Sequence, residues 1–170
     1  MQTAKSEKMI MGLMSSVFFM WGALTCMNDL LVPKLKANFH LDYTQVMLVQ
    51  FCFFLTYAIV SLPASGVIAR IGYKKGILLG LFVSALGCGV FVLASHGTSF
   101  NWFLFGLFVL ASGIVCLQVA ANPFVTLLGE AKYASSRLNF AQALNSLGTT
   151  LVPLVLGAAI IEGSIAWSYG

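Results

Sequence analysis

The chain has 170 residues, 59% of them hydrophobic and only 8% charged, with a net charge of +4. Soluble domains carry about a quarter charged residues, so a soluble globular protein is excluded. Lysine and arginine fall between apolar blocks rather than along one basic face, so the positive balance belongs to loops at a membrane and not to a nucleic-acid surface.

Five blocks, residues 9–32, 46–69, 76–95, 102–128 and 138–161, are long and apolar enough to cross a hydrocarbon core of about 30 Å, which takes about 20 helical residues. All five are expected to be helices, because lipid offers no water to satisfy backbone groups. A β-barrel would need short alternating strands, and the run 77–83 (I-L-L-G-L-F-V) does not alternate.

The first block follows Lys5 and Lys8, as a signal peptide would. It is longer than a usual signal core and has no small-x-small cleavage site at its end, so it reads as a span. Of the fourteen charged residues, Asp29 alone lies inside a block. A carboxylate at membrane depth costs about 2.5–3.5 kcal/mol on insertion scales and marks a pathway or proton relay by default. Asn28 adjoins it and adds a second polar group that needs a partner or water.

The link between the second and third blocks carries Arg70, Gly72, Lys74 and Lys75. In the fourth block Gln118 and Asn122 stand four apart, on one helix face, and Pro123 is expected to kink or unwind the helix there. A polar pair beside a helix break is how transporters build midplane sites; two amides that simply hold helices together are the structural alternative. The fifth block places Asn139, Gln142, Ser146 and Thr149 in one polar stripe with Asn145 at its flank. Amides donate and accept together, which suits sugar hydroxyls.

Seven lysines and arginines lie on the N-terminal side of this arrangement and two, Lys34 and Lys36, on the other, which puts the N-terminus in the cytoplasm. Cys26, Cys52, Cys88 and Cys116 fall one to a block with no CxxC pair, and His40 and His96 lie in outer links. Neither metal binding nor disulfide, hydrolytic or other enzymatic chemistry has support in such a pattern.

The 65–75 link resembles the G-x-x-x-D-R-x-G-R-R loop of the major facilitator superfamily. Arg70, Gly72 and Lys74 fit, while Ser65, Ala69 and Tyr73 depart from it. Together with W-G-A-L-T-C-M-N-D-L-L-V-P (residues 21–33), L-Q-V-A-A-N-P-F-V-T-L-L-G (117–129) and R-L-N-F-A-Q-A-L-N-S-L-G (137–148), the chain resembles the fucose:proton symporter family, which includes bacterial glucose/galactose transporters. The resemblance implies an all-α polytopic membrane protein of the bacterial inner membrane: five transmembrane helices of a six-helix N-terminal bundle, an incomplete half whose C-terminal partner half is missing.

It further implies sugar transport by cation-coupled alternating access, with Asp29 as the coupling carboxylate, Gln142 and Asn145 as sugar contacts and Arg70, Gly72 and Lys74 as a cytoplasmic gating loop, and the polar residues at membrane depth add Asn28, Gln118 and Asn122 to the expected substrate site. No cofactor is implied. Fucose-transporting members carry glutamate at the position of Gln118 and a polar amide at that of Cys26, so the pattern here points to a hexose such as glucose or galactose. Glutamine cannot titrate, which leaves H+ and Na+ both open as coupling ion. The competing expectation is a non-transporting membrane subunit whose buried amides are structural.

Overall fold

Backbone that must satisfy itself within lipid has the helix as its open-chain solution, and a computed structural model of the chain consists of long helices. It describes residues 2–38, 42–95 and 100–161, and the side chains of these segments except 2–6, 8, 28, 30–35, 37–38, 94–95 and 156–161. The helices are α1 (Gln2–Asn38), α2 (Tyr43–Ile71), α3 (Tyr73–Ser95), α4 (Phe100–Leu127) and α5 (Ala134–Ile161), with a 3-10 turn at Ala131–Tyr133 before α5. Each apolar block lies within one of these helices except for Leu128, which stands just past the end of α4.

Among the described residues, Met9–Met27, Tyr43–Ile71, Tyr73–Leu93 and Phe100–Leu127 are long and apolar enough to cross a membrane. The 28 residues of α5 have the length as well. Its first half carries Arg137, Asn139, Gln142, Asn145 and Ser146, which dilute its apolar character.

Glycines set the tight turns. Between α2 and α3 the chain reverses on Gly72 alone, at φ +85°. Side chains with a Cβ rarely adopt that backbone, and glycine does so freely. The Gly72 N–H donates to the Ile68 carbonyl at 2.8 Å, and the Gly72 carbonyl accepts from the Gly76 N–H at 3.0 Å.

Packing centres on α4, which buries Leu107, Ile114, Val115, Leu117 and Val125 almost completely. The most extensive contacts are α3 with α4, α1 with α5, and α2 with α4, whereas α1 touches α2 and α4 only lightly. The molecule is thus two tight groups, α1–α5 and α2–α3–α4, meeting along a looser seam.

In lipid no hydrophobic force drives helices together, so close backbone approach through small residues takes its place. At the α1–α5 crossing a Cβ on Gly22 would fall on the Asn145 carbonyl oxygen, and one on Gly148 would lie 2.5 Å from the Phe19 carbonyl oxygen. On the outside, Leu62, Leu93, Phe54, Leu78 and Phe82 are each more than 60% exposed. Exposed apolar area on this scale marks a surface that water does not face.

Candidate functional site

Two glutamine amides bridge the seam. Asp29, two residues beyond the apolar stretch Met9–Met27 of α1, is exposed and accepts at Oδ1 from Gln50 Nε2 of α2 at 3.4 Å. Cys26 stands one turn before it on the same helix. Asn28 is in α1, but its side chain lies outside the described residues.

The second bridge joins α5 to α4. Gln142 Nε2 donates to Asn122 Oδ1 at 3.4 Å, with both side chains half-buried. Gln118, one turn earlier on α4, is also half-buried and makes no hydrogen bond among the described residues. α4 does not unwind at Pro123 and remains helical to Leu127. Proline deletes a single N–H donor, and one turn from a helix end that loss is small beside the packing that holds the segment.

Asn145 does something different from its neighbours on α5. Its Nδ2 donates to the Phe18 carbonyl of α1 at 3.0 Å, at the crossing where Gly22 and Gly148 let the two backbones approach. The rest of the stripe spends its hydroxyls locally: Thr149 and Thr150 donate to the Ser146 carbonyl at 2.8 and 2.9 Å. Asn28 aside, the expected substrate residues divide into one interhelical pair (Gln142 with Asn122), one amide unpaired among the described residues (Gln118) and one amide with its donor committed to α1 (Asn145).

Arg70, Gly72 and Lys74 are exposed at the α2–α3 turn. Across the α4–α5 connection a residue that sequence reading treated only as a loop charge proves structural. Arg137 reaches back from α5, donating through Nε to the Val125 carbonyl (3.3 Å), through Nη2 to Thr126 (3.1 Å) and through Nη1 to Glu130 (3.0 Å).

Sequence reading also passed over Gln50, although a lone amide in the apolar run of the second block satisfies the same criterion that singled out Gln118. Arg137 leaves no comparable signal, since its partners are backbone carbonyls of another helix.

Two shallow concavities, of about 250 and 200 Å³, are lined by Ser15, Phe19 and Leu144 and by Glu7, Glu130 and Arg137, among others. Neither lining includes Asp29, Gln118, Asn122 or Gln142. Among the described residues no cluster of histidine, cysteine or carboxylate could hold a metal ion.

A profile described as Major Facilitator Superfamily matches residues 11–170. The glucose/galactose transporter of Brucella abortus is 57% identical over 145 residues, covering 85% of this chain and 35% of that protein. The L-fucose-proton symporter of Escherichia coli is 39% identical over 153 residues, covering 90% of this chain and 35% of that protein. A solved structure of the superfamily transporter FucP in the outward conformation superimposes with a TM-score of 0.80 at 39% identity, over 93% of this chain and 38% of that one. The chain thus spans only 35% of the length of these two curated relatives. With four apolar helices arranged as in that structure, the chain is a multi-pass integral membrane protein and belongs to the Major Facilitator Superfamily.

Proposed function

We propose that the chain forms the N-terminal helical unit of a secondary active sugar transporter, working with a C-terminal half to move a hexose such as glucose or galactose, or L-fucose, by proton-coupled alternating access. The observation that carries this is Asp29, the one carboxylate inside an apolar block, exposed on α1 and bridged to the amide of Gln50 on α2. Half-buried amides on α4 and α5 supply donors and acceptors for hydroxyl groups. In this scheme the remainder of the transporter completes the site.

The E. coli relative is named a proton symporter, which favours H+ over Na+ as the coupling ion. The excess of Lys and Arg on one side supports a cytoplasmic N-terminus, and the bacterial relatives support the inner membrane. Arg70, Gly72 and Lys74 then lie at the cytoplasmic end, where Gly72 permits the sharp reversal and the two cations face headgroups or the partner half. In this scheme the two halves rock about the site, and protonation of Asp29 biases the exchange.

The test joins this chain to the remaining C-terminal part of the Brucella abortus relative and measures hexose uptake in cells that lack it. Asp29→Asn in that complemented transporter is expected to abolish uphill accumulation while sparing counterflow exchange. Unimpaired accumulation in the variant would overturn the assignment.

A second reading, a helix-bundle subunit with structural amides, draws support from the Asn145–Phe18 and Gln142–Asn122 bonds. It requires that Gln142→Ala lower stability without altering sugar affinity.

A further inference from the structure

Asp29 meets one polar side chain from another helix among the described residues, Gln50 of α2. The charged and titratable groups around it are few. On α1, Cys26 is one turn away, Lys34 and Lys36 stand five and seven positions later, roughly 8 and 10 Å along the helix, and Glu7 stands 22 positions earlier, roughly 33 Å. On α2, Asp42 and Arg70 mark the two ends and Tyr57 lies two turns beyond Gln50. α4 carries no Asp, Glu, Lys or Arg over Phe100–Leu127, and on α5 only Arg137 is charged, beside Glu7 at the distant end of the bundle. The amide of Gln50 is therefore the group that Asp29 faces at contact distance.

A glutamine amide has a peculiar competence as the partner of a titrating carboxyl. Its NH2 donates to a carboxylate, and after half a turn about its terminal bond its C=O accepts from a carboxylic acid O–H. A lysine or arginine in the same place would favour the ionised form strongly and could not accept from the acid O–H, and an apolar residue would bond neither form. The geometry recurs on the other side of the seam, where Gln142 Nε2 meets Asn122 Oδ1, also at 3.4 Å. In each instance a glutamine of one tight helix group holds a side-chain oxygen of the other.

We propose that Gln50 is the positioning residue of Asp29: it keeps the carboxyl tied to α2 in both protonation states and so passes proton arrival into the α1–α2 seam. The inference rests on the reading of Asp29 as the coupling carboxylate. The amide itself neither gains nor loses a proton.

The experiment uses the complemented transporter with Gln50→Leu and with Gln50→Met, the latter matched in length. Each is expected to lower uphill accumulation about tenfold, the scale of one charge-assisted hydrogen bond, while counterflow stays within about twofold of the parent. A role in packing alone would lower both readouts together and would overturn the proposal, as would unchanged accumulation.

Asp29→Asn, run alongside, separates the two ideas. If it accumulates sugar normally, the coupling assignment fails. If it does not, while the Gln50 variants do, only the role of Gln50 fails. Should the Gln50 variants be lost from the membrane, an Asp29→Cys, Gln50→Cys pair in the full chain, with Cys26, Cys52, Cys88 and Cys116 replaced by alanine, decides the pairing. A short bifunctional thiol reagent is expected to bridge it, and absence of the bridge would overturn the proposal.

Discussion

Arg137→Ala removes at one stroke three hydrogen bonds, two that tie α5 to the end of α4 and one to the connection that follows it. A helix leaves its last four carbonyls without intrahelical donors. α4 ends at Leu127, so Val125 and Thr126 are two of those four, and Glu130 is the third carbonyl that the guanidinium serves. A bond from a charged donor contributes roughly 1.5–3 kcal/mol when fully desolvated. Arg137 is only half-buried, and water can replace part of what is lost, so about 1 kcal/mol per bond and about 2–3 kcal/mol for the fork is the reasonable expectation.

For a chain of this size that corresponds to a fall in Tm of roughly 5–10 °C. Arg137→Lys supplies one compact ammonium in place of a planar fork and is expected to recover about a third of the loss. Thermal unfolding in detergent micelles, followed by the fluorescence of Trp21 and Trp102, reads both variants. An alanine variant melting within about 2 °C of the parent, or a lysine variant equal to it, would refute the reasoning.

Three further outcomes follow from the helix contacts. Gly148→Val forces a branched side chain against the Phe19 carbonyl, and overpacking of this kind costs about 1–3 kcal/mol. The same melting assay should register the loss, and it should be accompanied by weaker cross-linking between α1 and α5. Ser84→Ala is expected to stabilise by about 1 kcal/mol, because the Ser84 hydroxyl is buried against α4 without a hydrogen-bond partner; a lowered Tm would contradict this. Asn145→Ala should lose the tie to Phe18, worth roughly 0.6 kcal/mol in a membrane protein, and should weaken sugar binding by the complemented transporter if its free Oδ1 also serves a hydroxyl. Equilibrium binding and melting curves on one variant separate these effects.

Much of the architecture was legible from hydropathy, because lipid imposes one length and one secondary structure on each span. The ends were less so, and the reason is specific. Lys5, Glu7 and Lys8 lie within α1, as do Lys34 and Lys36 beyond the first apolar block. Charged residues end an apolar run without ending a helix, since hydropathy reports the boundary with solvent and not the pattern of backbone hydrogen bonds.

Pro123 does not unwind α4, as its local preference is outweighed by the packing of that helix at the centre of the bundle. For the site, the sequence marked Asp29, Gln142 and Asn122 by their polarity alone. It could not show that Asp29 pairs with Gln50, or that Asn145 turns its donor to α1, because these depend on which helices become neighbours.

The partnership of the first and fifth helices has a consequence for biogenesis. Phe18 and Asn145 are separated by 127 positions, whereas α3 and α4 are consecutive and can pair as soon as both have entered the bilayer. At ordinary rates of synthesis that interval lasts on the order of 10 s. Through that time α1, the earliest helix made, waits with its Gly22 notch open and without its eventual neighbour. A nascent chain ending before α5 would leave that notch uncovered, because Asn145 and Gly148, which close it, are both on α5.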